Sequence, residues 1–253
     1  MRPSSLPAWD PRWSVFLDVD GTLVEIAARP DLAQAPPVLI DLLSRLPVRL
    51  DGALALISGR SIASLDALLA PLELPVAGLH GLERRDAAGR VHHAVADEDR
   101  LHEAKHELWQ FAEQHTGVLV EDKGPAVAVH FRAAPELEPE VRATLEPIAK
   151  RLGPGWCLQP GKKVLEIKPT GRNKGTAIEE FMREAPFAGR VPLFIGDDVT
   201  DEAGFAAVNR LGGHSIGVGV GADSSAMLRI AEVSGVLDWL ASWLRASTRA
   251  AVG

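Results

Sequence analysis

The stretch Ser14-Val-Phe-Leu-Asp18 constrains this chain more than any other. It is an apolar run of strand-forming residues that stops at an aspartate and passes at once into Val19-Asp20-Gly21-Thr22. Such a run without polar alternation suits a strand buried on both faces, as in a parallel sheet covered by helices. Comparable strand candidates are Ala53-Leu-Ala-Leu-Ile57, Pro75-Val-Ala-Gly-Leu79 and Val191-Pro-Leu-Phe-Ile195, with helix-like stretches at Pro36 to Leu46 and Ser61 to Leu69. This βαβ alternation predicts an α/β fold with a doubly wound, mostly parallel sheet. From about Arg84 the character changes. Charges thicken, and a polar helix near Asp99 to His115 precedes the alternating segment Ala126-Val-Ala-Val-His-Phe-Arg132. A strand at Val164–Lys168 then leads to a Gly-rich turn and a helix around Gly175 to Arg183. The expected organisation is a Rossmann-like core in two parts, residues 1–83 and 169–253, interrupted by a smaller α+β insertion at 84–168.

With 34 acidic residues against 27 Lys and Arg, the formal net charge is −7 and no basic block stands out. That argues against a nucleic-acid partner, since phosphate backbones are held by Lys and Arg. An anionic ligand needs a local positive pocket instead. The single cysteine, Cys157, allows no intramolecular disulfide. Met1 to Trp13 lacks the apolar run of a signal peptide, and no stretch is long enough to span a membrane. A soluble cytoplasmic protein is expected.

Four motifs carry possible chemistry. In Asp18-Val-Asp20, residues i and i+2 of an extended strand point the same way, so both carboxylates can face one pocket at the carboxyl edge of the sheet. Two close carboxylates repel, and a hard divalent cation such as Mg²⁺ relieves them. The bland alternative is an Asp-Gly turn with solvated acids. Ile57-Ser58-Gly59-Arg60, after the next strand, offers a hydroxyl and backbone N–H groups for an anion, although Ser is also a common helix cap. Lys174, in Gly171-Arg-Asn-Lys-Gly175, can serve as a point cation or as an ordinary exposed lysine. Gly196-Asp197-Asp198-Val-Thr-Asp201-Glu202 crowds four carboxylates past an apolar strand, which metal coordination explains better than a solvated acidic helix start.

Taken in order, Asp-x-Asp-Gly-Thr, Ser-Gly-Arg, Lys and Gly-Asp-Asp-x-x-Asp resemble the haloacid dehalogenase (HAD) superfamily of aspartyl phosphotransferases. The resemblance implies that Asp18 is the nucleophile, Asp20 the general acid and base, and Ser58 and Lys174 the holders of the phosphoryl group, with Gly59 and Arg60 in the substrate site. It implies Mg²⁺ among Asp18, the backbone carbonyl of Asp20 and Asp197, supported by Asp198 and Asp201. The insertion is similar to the superfamily's cap, which reads the leaving group. The wording of Asp51–Arg60, His80-Gly-Leu-Glu-Arg-Arg85, Glu121-Asp-Lys-Gly124, Val164–Pro169 and Gly196–Glu202 resembles trehalose-6-phosphate phosphatases from about Phe16 to Gly213. By that likeness Glu121, Lys123 and Glu166 hold glucose hydroxyls, with Arg132 and Lys168 as neighbours; charge-assisted hydrogen bonds suit a disaccharide. One departure is visible: the chain has no tyrosine, and Phe131 stands where the family more often shows Tyr. A stand-alone phosphatase is implied, expected as a monomer, with its sugar phosphate supplied by a separate trehalose-6-phosphate synthase.

Rival signals are weaker. His102-Glu-Ala-Lys-His106 matches a zinc-peptidase motif, but Leu101, Ala104, Leu108 and Phe111 form the apolar stripe and leave both histidines on the polar flank. Gly217-Val-Gly219-Val-Gly-Ala222 loosely fits a dinucleotide fingerprint and is read as a strand-to-helix turn. Cys157 lacks the arginine six residues on that a thiol phosphatase needs, because position 163 is lysine. A non-catalytic sugar-phosphate sensor and a phosphatase for another sugar, such as sucrose 6-phosphate, complete the alternatives.

Overall fold

The structure is a computed structural model and describes residues 6–27, 32–93 and 98–245. Contacts divide the chain into two units, 1–92 with 173–253, and 93–172.

The larger unit is built on a sheet whose strands are β1 (Trp13–Leu17), β2 (Leu54–Ile57), β3 (Val76–Gly78), β4 (Glu83–Arg85), β5 (Val91–His93), β10 (Val191–Gly196), β11 (His214–Val218) and β12 (Leu228–Ile230). Their spatial order is β12-β11-β10-β1-β2-β3-β4-β5. Pairing is parallel from β12 through β3, and β4 runs antiparallel to β3. β1 and β2 are buried along their whole length and β10 along all but its first residue, which is why their sequences show no polar alternation.

Side chains nevertheless alternate between two cores. Val15, Leu17, Leu54, Leu56, Leu193 and Ile195 pack on one face with α1 (Pro37–Arg49), α2 (Ile62–Leu69) and α7 (Val233–Arg245). Phe16, Ala55, Ile57 and Phe194 turn to the other, against α5 (Lys174–Phe181) and α6 (Glu202–Arg210). On that second face small residues meet large ones. Ala53, Ala55 and Ala77 leave room for Phe16, Phe181 and Phe187, whose ring centroids lie 5.0–6.0 Å apart. Each such buried ring contributes roughly 1.5–3 kcal/mol. The parallel sheet with helices on both faces is the doubly wound α/β core expected from the sequence.

The inserted unit is a two-layer α+β body. Its antiparallel sheet has the order β6 (Leu119–Asp122), β7 (Val127–His130), β9 (Val164–Pro169), β8 (Trp156–Gly161). Val127, Val129, Leu165 and Ile167 face the helices α3 (Glu98–Gln114) and α4 (Glu138–Leu152) through Leu101, Leu108, Val141 and Leu145. By its contacts the chain passes between the units at 92/93 and 172/173, and Glu83–Arg85 and Val91–His93 extend the large sheet. One departure concerns Gly217–Ala222. This glycine-rich turn feeds strand β12 rather than a helix; the next helix starts only at Val233. Among the described residues no helix is long and apolar enough to cross a membrane.

Candidate active site

At the carboxyl end of β1 the ladder continues for one residue, with the Asp18 N–H donating to Ile195 O at 2.9 Å. The chain then turns at Gly21, whose φ of +86° suits glycine alone. Space demands glycine as well, since a Cβ there would stand 2.2 Å from Asp197 Oδ2. The first acidic motif is thereby seated directly against the fourth.

Lys174 opens α5, whose start is fixed by reciprocal bonds between Asn173 and Thr176. Its Nζ lies 2.7 Å from Asp18 Oδ1 and 2.7 Å from Asp201 Oδ1, with all three groups buried. Asp201 accepts from the Asp197 and Asp198 amides through its other oxygen, so both of its oxygens are occupied. A Cβ at Gly196 would fall 2.3 Å from the Asp201 carboxyl carbon; the glycine makes the space this acid fills. Asp18, Asp197 and Asp201 offer oxygens within 4.8 Å of one another.

The electrostatics follow from this packing. Burial pushes the Asp18 carboxyl well above the usual carboxylate range, Lys174 opposes the shift, and Asp201 and Asp197 add to it. Burial works against the Lys174 charge, but Asp18 and Asp201 more than offset it and raise its pKa. Three carboxylates converge at one point, and the donors are hard oxygens. Both features fit a small divalent cation.

The remaining core candidates sit differently. Asp20 forms a fork-to-fork pair with Arg60, Nε–Oδ2 and Nη2–Oδ1 each 2.7 Å. It therefore does not share the partners of Asp18. Asp198 accepts from the Val199 N–H at 2.6 Å and caps the short turn before α6. Ser58 is buried, and its Oγ accepts from the Arg60 N–H at 3.1 Å. Gly59 lies between them.

In the inserted unit, strand alternation gathers polar groups on the face turned away from α3 and α4. Glu166 on β9 pairs in register with Ala128 on β7 and Gln159 on β8, and Ala128 pairs in turn with Glu121 on β6. Lys123 Nζ reaches Glu166 Oε2 at 2.9 Å with both side chains largely buried. Burial opposes the Lys123 charge, while Glu166 and then Glu121 restore it and raise its pKa. Lys168 is buried two residues beyond Glu166, opposite Cys157. Arg132 is exposed just past β7. Phe131 belongs to the apolar core of this unit, where a phenol hydroxyl would need a partner of its own.

Sequence reasoning assigned no role to His130, whose Nε2 lies 2.8 Å from Glu121 Oε2, although its even spacing from Ala126 and Ala128 on an alternating strand was the available signal. It also left His80 and Glu83 as mere wording of a motif. The rival motifs do not assemble. His102 and His106 are exposed on α3, with His106 bonded to Gln110, and among the described residues the only metal-type cluster is that of Asp18. Burial raises the Cys157 thiol pKa, the opposite of an activated nucleophile.

A doubly wound sheet with an inserted α+β unit, and acids converging on one lysine beyond the carboxyl ends of β1 and β10, define a phosphatase fold of the HAD type. The chain belongs to the trehalose-phosphatase family, whose pattern matches residues 16–232. It is 50% identical over 209 residues to a Sinorhizobium fredii protein named probable trehalose-phosphate phosphatase, covering 82% of this chain and 78% of that protein. It is 46% identical over 234 residues to the trehalose-6-phosphate phosphatase of Escherichia coli, covering 92% and 87%. The crystal structure of a trehalose-6-phosphate phosphatase related protein superposes with a TM-score of 0.76 at 27% identity, over 93% of this chain and 99% of that one.

Proposed function

We propose that this protein hydrolyses trehalose 6-phosphate to trehalose and inorganic phosphate with the help of Mg²⁺. The observation that carries the reading is the buried Asp18 sharing the Lys174 ammonium with Asp201 beside Asp197, in a chain about half identical to relatives named for that reaction. In this reading an Asp18 oxygen attacks phosphorus and forms an aspartyl-phosphate, while the bond from phosphorus to the sugar oxygen breaks. Asp20 gives the leaving oxygen a proton. It then takes one from the water that attacks phosphorus and releases phosphate from Asp18. Lys174 and Ser58 hold the equatorial oxygens, and Gly59 and Arg60 shape the turn beside them. Positioning and charge neutralisation do most of the work in phosphoryl transfer.

Asp18, Asp197 and the Asp20 carbonyl would hold Mg²⁺, with Asp201 and Asp198 in support. A bound Mg²⁺ supplies positive charge to the phosphoryl oxygens and to the nucleophile's surroundings. The polar sheet face of the inserted unit recognises the sugar: Glu121, Lys123 and Glu166 bond its hydroxyls, with Arg132 and Lys168 nearby in sequence, a reading supported by the register of Glu121 and Glu166 on neighbouring strands and by the Lys123–Glu166 contact. The substrate is supplied by a separate synthase, and the protein acts as a monomer in the cytoplasm.

The test is phosphate release from trehalose 6-phosphate, sucrose 6-phosphate and glucose 6-phosphate after chelator treatment, with and without added Mg²⁺. Mg²⁺-dependent preference for the first is expected. Preference for another sugar would keep the chemistry and discard the substrate; no release from any of them would remove the reading.

A further inference from the structure

The motif His80–Arg85 is not used by the chemistry above, yet it is built against the Ser58-Gly59-Arg60 turn. The Leu79 and His80 amides donate to the carbonyls of Arg60 and Ser58, both at 2.9 Å. Leu79 and His80 hold φ values of +50° and +56°, which side chains of these types rarely adopt and which persist only where surroundings over-determine them. The His80 ring lies so close to Gly59 that a Cβ there would stand 2.8 Å from Cε1 and 2.9 Å from Nε2.

Glu83 completes the buttress. It faces Gly78 across the antiparallel β3–β4 pair, and its Oε1 accepts from the Ile62 N–H at 2.5 Å. Ile62 is the first residue of α2, where the helix leaves amide donors over and its dipole favours a carboxylate. A Cβ at Gly78 would lie 2.8 Å from that same Oε1 and 2.9 Å from Arg60 O, so the glycine opens the passage through which Glu83 reaches the turn. The turn, held on its far side, presents Arg60 in its fork to Asp20.

Resting on the function proposed above, we propose that Glu83 is a positioning residue of the phosphatase site, acting through Ile62 and the Ser58–Arg60 turn to aim Arg60 at Asp20. A cap that merely stabilised α2 would give losses independent of Arg60, because effects on global folding do not depend on which loop group is present. A group that acts through Arg60 gives losses that disappear once Arg60 is gone.

The experiment compares the full-length wild type, Glu83→Ala, Glu83→Gln, Arg60→Ala and the Glu83→Ala/Arg60→Ala double variant. It measures phosphate release from trehalose 6-phosphate with Mg²⁺ and, separately, amide hydrogen exchange over 58–62 with α7 as internal reference. Glu83→Ala is expected to lower kcat/KM about tenfold, since small misplacements of catalytic groups are costly. Glu83→Gln, which keeps an acceptor oxygen, should stay within about threefold, and Glu83→Ala in the Arg60→Ala background should add less than about twofold. Exchange at Ile62 should quicken in Glu83→Ala alone among the Glu83 variants, with α7 unchanged. Equal tenfold losses in both backgrounds, or unchanged exchange at Ile62, would overturn the proposal. A wild type without turnover sinks the functional reading instead, and exchange over 58–62 still decides whether Glu83 holds the turn.

Discussion

Lys174 in the larger unit and Lys123 in the inserted one are both ammonium groups withdrawn from water and held by carboxylates, and they are built in different ways. Lys174 begins a helix and meets acids carried by two separate loops, 156 and 27 residues away in the chain. Lys123 stands just beyond a strand and meets one acid on another strand of the same sheet. Loops at strand ends are free to converge, so two carboxylates meet one lysine and a third gathers beside them. A sheet face spaces its side chains by register, and there Lys123 meets Glu166 while the His130 ring meets Glu121. The first arrangement suits a cation and a reacting phosphorus; the second suits the display of many hydrogen-bonding groups to hydroxyls.

The comparison breaks most readily at its catalytic end. Asp18→Asn removes the proposed nucleophile and is expected to reduce phosphate release from trehalose 6-phosphate by at least about a thousandfold in steady-state assays. Lys174→Met should cost roughly a hundredfold or more in kcat, because it leaves Asp18 and Asp201 facing each other without their shared cation. Chelation should abolish turnover, and added Mg²⁺ should restore it.

A smaller and different effect is expected in the inserted unit. Glu166→Gln should raise KM for trehalose 6-phosphate about tenfold, the scale of a lost charge-assisted hydrogen bond. It should leave kcat for a small aryl phosphate within about twofold. If Glu166→Gln instead lowered turnover of the aryl phosphate as strongly as that of the sugar ester, the division between chemistry and recognition would fail.

The smallest effect lies outside both regions. Asp86, in the turn between β4 and β5, is held well below the usual carboxylate range by its bond to His92, against its burial, with further bonds from the amide and side chain of Arg90 and the amide of Ala88. A depressed folded pKa contributes stability above the unfolded value of about 3.8 and loses it as pH falls through the folded value. Asp86→Asn should therefore lower the melting temperature by roughly 3 °C at pH 7, and the gap should narrow as melts are taken below pH 4.

Legibility in the sequence followed the physics of each segment. β1, β2 and β10 were readable because burial on both faces demands continuous apolar runs. Glu83–Arg85, Val91–His93 and Leu119–Asp122 were not, since these short strands are only partly buried or exposed and carry charge or histidine where a strand pattern would show apolar residues. Pro147 inside α4 and Pro160 in β8 hid those elements as well, each being a residue that ordinarily argues against its own surroundings. The site divided in the same manner. The four motifs are local, so their residue types announced carboxylates, a hydroxyl and a cation without any knowledge of the fold.

The sequence alone determined the class of chain, the strands of the central sheet and the kinds of group available to act, because these depend on local periodicity and side-chain chemistry. Only the tertiary structure decided that Asp18 lies with Lys174 while Asp20, two residues on, lies with Arg60. It also decided that Glu121 finds His130 and that Glu83 reaches Ile62. Three of these pairings join residues 21 to 156 positions apart, and nothing in a local window records which distant backbone will come within hydrogen-bonding distance; the fourth, Glu121 with His130, spans only nine residues and depends on the pairing of β6 with β7.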